Sequence, residues 1–490
     1  MNTDLVLVTG ASGYVGGRLV PELLDAGYRV RCLARRPENL SGFPWAHDVD
    51  VVAGDVLDAD SLRPALDGVG SAYYLVHSMA AGPGFASRDR EAATCFRDAA
   101  AEAGVGHLVY LGGLGDDADP RLSAHLRSRH EVGRVLADGP VPVTELRAAV
   151  VIGSGSASFE MLRHLVEVLP AMVTPRWVRT RCQPVAITDV LHWLVAALDP
   201  PAEGHRVLEV GGPEVMTYED MMRLYAEVAG LPRRLVLPVP VLSPRLSSLW
   251  VGLVTPLPAS IARPLVEGLE NEVVVRDRPV SAALPHEPIP VRQAVAEALR
   301  RVEHLDVATW WGSAQSGAGT PADPAPTDPD WSGGTLLRDR RKVETTAAPA
   351  AVFAAVTGVG GQRGWYAADW LWEVRGLLDR AVGGIGLRRG RRHPDELRVG
   401  DALDFWRVDA FEPDRLLRLR AEMRLPGQAW LEWRVRPLDG GGAALDQCAL
   451  YHPRGLWGRA YWYALLPFHA LIFGRLARAL ARAAERVPQA

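Results

Sequence analysis

The feature that most constrains the fold of this chain is a glycine-rich segment at residues 9–16, TGASGYVG. It follows the apolar run at 5–8 and precedes a helical pattern. A loop that turns from a strand into a helix brings backbone N–H groups against a bound pyrophosphate, and the helix dipole adds to the attraction. Such a loop needs glycine for the tight turn, for close approach of the ligand and for packing of the helix on the sheet. The segment therefore predicts a dinucleotide-binding loop, with contacts from Gly10, Ser12, Gly13, Tyr14, Val15 and Gly16.

Short apolar runs alternate with helix-length segments over the first 198 residues. The predicted strands cover 5–8, 29–33, 50–53, 71–76, 107–111 and 143–152, and the predicted helices cover 16–26, 60–66, 88–103 and 122–136. Strands separated by helices form βαβ units, so we expect an α/β fold of the Rossmann type with a doubly wound parallel sheet. Residues 199–305 are more mixed, and we assign them to the substrate side of the same domain, which spans 1–305.

A composition change divides the chain. Residues 306–335 are dominated by Pro, Gly, Ser, Ala and Asp and are predicted to be a linker. Beyond them, turn sequences separate predicted antiparallel strands at 402–411, 416–425, 429–435 and 443–451. Helices are expected at 349–356 and at 456–486, the second interrupted near Pro467. The domain at 336–490 is therefore predicted to be α+β, with a long helix across a curved sheet.

Charge and cysteine content limit the partners. The net charge of −4 gives no reason to expect nucleic acid. The four cysteines are scattered, which argues against a zinc site or a disulfide framework and fits a reducing cytoplasm. The N-terminus resembles no signal peptide, and the apolar stretches at 246–266 and 463–473 are broken by proline and short for a membrane span. We expect a cytoplasmic protein without a metal site, and the sequence specifies no oligomeric state.

The end of the second predicted strand indicates the type of cofactor. A site for NAD(H) places an acid there to accept from the ribose 2′-hydroxyl, but the chain has Arg35 and Arg36. Two guanidinium groups can hold a 2′-phosphate, so NADP(H) is favoured over NAD(H), although the pair could also be solvated. Asp55, followed by Val56, is placed to accept from the adenine edge or to cap the next helix.

These motifs resemble those of the atypical short-chain dehydrogenase/reductases, the NAD(P)-binding proteins related to NmrA. The likeness rests on TGASGYVG, the Arg-Arg pair, GDV at 54–56, YYLVHSM at 73–79 and VYLGGLG at 109–115, and it covers roughly residues 1–300. It implies a Rossmann-type domain that binds NADP(H) or NAD(H), with Val76 and His77 among the cofactor contacts. Members of this class include reductases as well as sensors and assembly factors.

The catalytic Tyr-x-x-x-Lys pair of the typical enzymes is missing. The only lysine of the chain is Lys342, far from the motif. If Glu131 is aligned with the acid that often follows the lysine, Ser123 takes the place of the tyrosine and Arg127 that of the lysine. A serine hydroxyl is a poor acid or base near neutral pH. The remaining candidate proton donors, each of which could equally be a structural polar residue, are His77, Tyr110, His125 and His130.

Other arginines are candidate anion-binding groups. Arg176, Arg179 and Arg181 surround Trp177 and could hold an anionic substrate, or could form ion pairs with acids such as Asp189 or Glu160. Asp189 is expected to cap a helix at 190–198. A basic run at 388–392 could meet phosphate or an anionic membrane, or form a solvated loop.

The C-terminal domain resembles an uncharacterised family that is often fused to this type of Rossmann domain. Its wider likeness is to helix-grip domains of the START and polyketide-cyclase type. The likeness rests on GWY at 364–366, DWLW at 369–372, DFWR at 404–407 and YHPRGLWG at 451–458. Eleven tryptophans after residue 309 could line an apolar cavity or fill a core.

Three functions are compatible with these patterns. The first is an NADP(H)-dependent oxidoreductase that acts on a small apolar carbonyl or quinone-like molecule, with the nicotinamide near residues 75–78 and 112–114 and Arg127. The second is a non-catalytic NAD(P)H sensor or assembly protein. The third is a carrier of an apolar ligand at a membrane surface, which involves residues 456–473.

Overall fold

The chain divides into two compact units, Met1–Gly334 and Thr335–Ala490. The computed structural model describes residues 4–41, 43–77, 84–201, 204–239, 259–303, 336–360, 364–365, 397–438 and 441–486. The predicted linker at 306–335 and the basic run at 388–392 lie outside the described residues.

The first unit is built on a seven-stranded parallel sheet in the order β11-β6-β5-β4-β1-β2-β3. Its strands are β1 (Leu5–Thr9), β2 (Arg29–Ala34), β3 (Asp50–Ala53), β4 (Ser71–Tyr74), β5 (His107–Gly113), β6 (Val143–Ala148) and β11 (His205–Val210). Helices α1 (Gly16–Asp25), α2 (Ala59–Leu66), α3 (Phe85–Glu102), α4 (Ala124–Ala137) and α6 (Ile187–Ala196) alternate with these strands. The chain changes direction across the sheet between β1 and β4, and ligands bind at the carboxyl ends of the strands at such a point. The Rossmann-type sheet is confirmed.

Helices cover both faces of this sheet because both faces of its strands are apolar. Along β1, Val6 and Val8 pack with α1 and α6, whereas Leu5 and Leu7 pack with α2, α3 and α4 on the other side. Every residue of β1 is buried. A near-continuous apolar strand is typical of a parallel sheet with helices on both faces.

Two predicted strands end earlier than the apolar pattern suggested. The run at 143–152 is not one strand, because after Ala148 the backbone leaves the large sheet and Val151–Ile152 (β7) pairs with Val185–Ala186 (β10). The strand predicted at 71–76 ends at Tyr74, so Val76 and His77 lie in the loop that follows β4. In both cases, side chains that were predicted to lie within the sheet lie beyond the carboxyl ends of its strands.

The rest of the first unit consists of short elements around a second apolar core. The helices are α5 (Ala157–Val168), α7 (Tyr218–Val228), α8 (Ala259–Gly268), α9 (Val280–Ala283) and α10 (Val291–Glu303). The remaining strands are β8 (Ala171–Pro175), β9 (Arg181–Cys182), β12 (Met216–Thr217) and β13 (Leu235–Val239), in two-stranded pairs. Apolar side chains of α5, α7, α8 and α10 form one buried cluster that includes Leu165, Tyr225 and Val295.

The second unit is an antiparallel sheet of six strands with helices, an α+β fold. The strands, in the order β14-β19-β18-β17-β16-β15, are β14 (Leu337–Thr345), β15 (Ala402–Leu403), β16 (Trp406–Glu412), β17 (Leu416–Ala421), β18 (Gly427–Pro437) and β19 (Ala443–Pro453). Helices α11 (Pro349–Thr357) and α12 (Gly455–Glu485) pack on β14, β18 and β19. The sequence did not predict β14, and the predicted strand at 416–425 ends at Ala421.

Tryptophans fill the core of the second unit. Trp365, Trp406, Trp430, Trp433 and Trp462 are buried. Two of their N–H groups donate hydrogen bonds to side chains, from Trp365 Nε1 to Asp404 Oδ2 at 2.9 Å and from Trp433 Nε1 to Gln447 Oε1 at 2.9 Å. For these five residues the core interpretation is the correct one. Trp457, by contrast, is 82% exposed.

The long helix α12 is bent. Its two parts, Gly455–His469 and Ile472–Glu485, meet at 48°. Pro467 lies just before the bend, and its missing N–H explains the break that the sequence predicts there. Among the described residues, no single helix meets the length and hydropathy needed to cross a bilayer, and only this bent pair does so together.

Candidate functional site

At two positions of the glycine loop, neighbouring backbone atoms leave no room for a side chain. Gly10 has φ of +72°, and a Cβ there would lie 2.8 Å from the Leu75 carbonyl oxygen. A Cβ on Gly16 would lie 2.3 Å from the Gly10 carbonyl oxygen. Thr9 joins the two neighbouring strands, since its Oγ1 donates to the Tyr73 carbonyl at 2.9 Å and accepts from the Leu75 N–H at 3.1 Å. The loop is therefore held against the carboxyl end of β4.

Helix α1 begins directly after this loop, at the carboxyl end of β1. Val15 occupies the cap position and supplies no side-chain hydrogen bond, and the first turn contains no acidic residue. Ser12 and Gly13 are exposed in the loop. An uncapped helix N-terminus beside a glycine turn suits a phosphate group. The residues present therefore fit the pyrophosphate of a dinucleotide.

Tyr14 connects the glycine loop to the loop after β7. Its ring stacks on the Arg18 guanidinium at 4.2 Å, and Arg18 Nη2 donates to the Ser154 carbonyl at 3.1 Å. The Tyr14 hydroxyl approaches Gly153 so closely that a Cβ there would lie 2.2 Å away. The side chain of this predicted cofactor contact therefore also positions the loop.

Arg35 and Arg36 follow the carboxyl end of β2 and are exposed. Within the described residues their side chains form no ion pair or hydrogen bond, so both guanidinium groups are available to a ligand. Their position, one strand away from the glycine loop, is that expected of groups that contact the adenosine ribose.

Asp55 and Val56 have local structural roles. Asp55 Oδ1 accepts from the Leu57 N–H at 3.1 Å, and Asp58, rather than Asp55, caps α2. The capping alternative for Asp55 is therefore wrong, and its half-buried carboxylate remains at the carboxyl edge. The Val56 side chain is buried among core residues that include Leu62.

Three of the candidate catalytic residues, Ser123, Arg127 and Tyr110, have structural hydrogen bonds of their own. Ser123 is the N-cap of α4: its Oγ accepts from the Leu126 N–H at 3.3 Å. Arg127 is exposed and donates to the Leu122 carbonyl at 2.5 Å. Tyr110 is fully buried, donates to the Arg129 carbonyl at 3.0 Å, and burial raises the pKa of its hydroxyl well above the ordinary value. None of the three presents a free group at the carboxyl edge.

A cavity of about 260 Å³ does lie at this edge, at the ends of β4, β5 and β6. Its polar side chains include His77, His125 and Arg129, and Gly112 and Gly113 form part of its wall. Its apolar wall comes from β5, the segment after β6 and helix α8, with Leu114, Val150, Leu265 and Leu269 among its residues. The arrangement can hold a small, mostly apolar molecule with one polar end.

The polar wall of the cavity contains the imidazole rings of His77 and His125 and the guanidinium group of Arg129. Desolvation, with a smaller effect of the Arg129 guanidinium, lowers the pKa of His77 to about 4. The same causes, in the same order, lower the pKa of His125 to about 3. Both rings are therefore uncharged near neutral pH. His130, the fourth candidate proton donor, is buried between the Gly113 carbonyl, 2.9 Å from its Nε2, and the carboxylate of Asp117, so it has a structural role.

Helix α4 contributes two polar side chains to the cavity, and they differ from the pair that the sequence suggests. His125 and Arg129 are four residues apart, which is the spacing of Tyr-x-x-x-Lys, and both line the cavity. Ser123 and Arg127, two residues earlier on the same helix, are not among the residues that line it. The cap serine followed by a helical pattern was the signal that could have set the start of α4.

The predicted arginine cluster at 176–181 is not a free anion site. Arg179 forms an ion pair with Glu219 at 3.4 Å, and Arg181 pairs with Glu272 at 2.9 Å. The ion-pair alternative is therefore correct for these two, although with other acids than those expected. The described structure gives no side-chain environment for Arg176.

Asp189 does not cap α6. It lies inside the first turn, where its carboxylate accepts from His286 Nε2 at 2.8 Å and from the Ile289 N–H at 3.1 Å. Burial raises the pKa of this carboxyl. Among the described residues, no cluster of His, Cys, Asp and Glu could hold a metal ion.

Two protein-family models match the chain, one in each unit. Residues 10–149 match the family described as NAD(P)H-binding, and residues 331–476 match "Protein of unknown function (DUF2867)".

Curated reductases and dehydrogenases are similar to parts of the chain. The (4-alkanoyl-5-oxo-2,5-dihydrofuran-3-yl)methyl phosphate reductase of Streptomyces griseus is 32% identical over 237 residues, 47% of this chain and 76% of the relative. A 3 beta-hydroxysteroid dehydrogenase/Delta 5→4-isomerase of Mycobacterium tuberculosis is 41% identical over only 76 residues, 15% of this chain and 20% of that relative.

A solved structure confirms the fold of the first unit. The triphenylmethane reductase of Citrobacter sp. is 20% identical, with a TM-score of 0.50 over 60% of this chain and 99% of that one. At this identity the likeness shows the fold alone.

Proposed function

Because the chain belongs to the NmrA-like, NAD(P)H-binding atypical short-chain dehydrogenase/reductases through its first unit, we propose that it is an NADPH-dependent reductase of a small, largely apolar carbonyl or quinone-like compound. The observation that carries this proposal is the 260 Å³ cavity at the carboxyl edge, on the same edge as the glycine loop. Its size suits a molecule of one or two rings. The relative from Streptomyces griseus is named for reduction of a methyl phosphate that carries an alkanoyl- and oxo-substituted dihydrofuran ring, which favours a carbonyl-bearing substrate.

The residues divide the work between cofactor and substrate. The loop at 10–16 would hold the pyrophosphate, and Arg35 and Arg36 would hold the 2′-phosphate of NADPH. A bound NADPH supplies a hydride to an electrophilic carbon. The apolar wall of the cavity excludes water and orients the ring, while its polar wall receives the substrate oxygen.

Cofactor selectivity tests the role of the arginine pair. In the full chain, Arg35→Gln with Arg36→Gln should weaken NADPH binding about ten- to a hundredfold, because two charge-assisted hydrogen bonds are lost. NADH binding should change little, since NADH has no 2′-phosphate. Arg29→Gln is the matched control, since Arg29 is also exposed but lies at the opposite end of β2. Fluorescence titration of each cofactor measures this, and equal loss for NADH and NADPH would contradict the assignment.

Turnover separates a reductase from a sensor. NADPH oxidation by the purified chain should depend on an added quinone, enone or aldehyde from a panel of small cyclic compounds. A non-catalytic sensor binds NADPH without any substrate-dependent oxidation. Tight NADPH binding with no turnover across the panel would favour the sensor, and absence of NADPH binding would remove both functions.

For the second unit we also propose binding to the surface of an anionic membrane, by way of a helix-grip-like α+β domain. The first half of α12 exposes several large apolar side chains, namely Leu456, Trp457, Tyr463, Leu466 and Phe468. Arg454, at the start of this helix, is exposed as well. Aromatic side chains beside a cation are typical of helices that lie in the headgroup region.

Vesicle binding tests this surface. The full chain should co-sediment with phosphatidylglycerol vesicles more than with phosphatidylcholine vesicles. Trp457→Ala with Phe468→Ala should reduce the bound fraction severalfold, because each aromatic side chain loses its apolar burial in the bilayer. Leu57→Ala removes an exposed apolar side chain from the first unit and should have no effect. Binding that is insensitive to the α12 variants would contradict the proposal.

A further inference from the structure

Helix α4 presents a pair of side chains to the cavity, one of which, Arg129, is not among the expected catalytic residues. His125 and Arg129 are one helical turn apart, and side chains at this spacing lie on the same face of a helix. Their spacing equals that of the tyrosine and lysine in the typical enzymes. The pair lies beside Gly112 and Gly113 at the end of β5.

Helix α4 packs against the end of β5 at Gly113. A Cβ on Gly113 would lie 2.8 Å from Leu126 Cδ2 and 3.8 Å from Arg129 Cγ. The first carbons of the Arg129 side chain therefore lie within van der Waals distance of this position.

Arg129 has unused hydrogen-bonding capacity. Its guanidinium lies over the Tyr110 ring, 5.4 Å from the centroid, and donates to the Leu111 carbonyl. It forms no ion pair with any residue that the structure describes. Asp89, whose charge also acts on His77, accepts a hydrogen bond from the Ser128 hydroxyl at 3.1 Å. A guanidinium has five N–H donors, so several remain for an anionic ligand.

His125 can donate a hydrogen bond to a ligand, but it does not transfer a proton to it. With a pKa of about 3, its ring is neutral near pH 7 and carries one N–H. A neutral imidazole can hydrogen-bond to a negatively charged oxygen, but it is too weak an acid to protonate it. The proton that completes a reduction would then come from water.

We propose that Arg129 and His125 form an oxyanion-binding pair, which holds the oxygen of a small ring compound as an enolate-like or phenolate-like anion. Arg129 supplies the charge, and the His125 N–H fixes the direction of the bond. Leu114, Leu265 and Leu269 cover the ring. Binding of the anion needs no cofactor and is independent of the proposed function. Only the reaction in which the anion would form rests on that function.

The probe for this pair is 4-nitrophenol, a single ring whose absorbance distinguishes the phenol from the phenolate. Bound to the full chain without cofactor, it should ionise at lower pH than in water, because the site stabilises the anion. Arg129→Gln should weaken phenolate binding about ten- to a hundredfold, and His125→Gln by a smaller factor. Arg129→Lys should retain part of the affinity, because it keeps the charge and loses the fork of donors.

Arg127→Gln is the matched control, since it removes the same charge two residues earlier on α4 but outside the cavity. It should leave phenolate binding unchanged, and circular dichroism should show that all variants are folded. The proposal is overturned if the chain binds no phenolate at millimolar concentration, if it binds only the neutral phenol, or if R127Q and R129Q weaken binding equally. Failure of NADPH binding or of turnover would instead remove the proposed function, while phenolate binding could persist.

Discussion

At the scale of single residues, the glycine loop makes the most demanding packing requirement. Gly16→Ala would place a Cβ 2.3 Å from a backbone oxygen, and a backbone atom cannot move aside as a flexible side chain can. We expect this variant to lose stability by about 1–3 kcal/mol and to bind NADPH at least tenfold more weakly. Gly70→Ala is the control, because its nearest neighbour would be 3.8 Å away. Urea unfolding and NADPH titration measure both effects, and equal behaviour of the two variants would contradict the tight packing of the loop.

The residues of the cofactor loop could be identified from sequence because glycine spacing and helix start are local properties. The residues of the substrate cavity could be identified only in part, because His77 and His125 are among the candidate proton donors of the sequence whereas Arg129 is not. Glu131, the residue on which the choice of Ser123 and Arg127 depends, lies outside the cavity and forms a surface ion pair with Arg90 at 2.5 Å. Which side chains of α4 face the cavity depends on the residue at which the helix begins, and Ser123 is its N-cap.

At the scale of elements, the sequence predicts strands best where apolar residues are continuous. The strands β1 and β5 begin where the apolar runs begin, and nearly all of their residues are buried because the parallel sheet is covered on both faces. The run at 143–152 shows the limit of this rule, because apolar residues continue after Ala148 while the backbone leaves the sheet to pair with β10. The hydrophobicity of a segment indicates that the segment is buried, but it does not indicate which strand the segment pairs with.

The missed strand β14 illustrates the opposite case. Its sequence, LRDRRKVET, is dominated by charged residues and gives no apolar run. It is an edge strand, and its charges are paired: Arg340 with Asp446 at 3.3 Å, and Lys342 with Glu344 at 2.7 Å. Charged side chains on an edge strand protect a sheet from pairing with another chain. The same charged residues therefore explain why no apolar run marks this strand and why the strand can lie at the edge of the sheet.

At the scale of the whole molecule, each unit closes its own hydrophobic core, so we expect two thermal transitions. NADPH at about a hundred times its dissociation constant should stabilise the first unit by roughly 2.7 kcal/mol and raise only its transition temperature. Trp433→Ala, which empties a fully buried site in the second unit, should cost about 3–5 kcal/mol and lower only the other transition. Differential scanning calorimetry of the full chain distinguishes the two. A single transition that shifts with both NADPH and the tryptophan variant would show that the units unfold together.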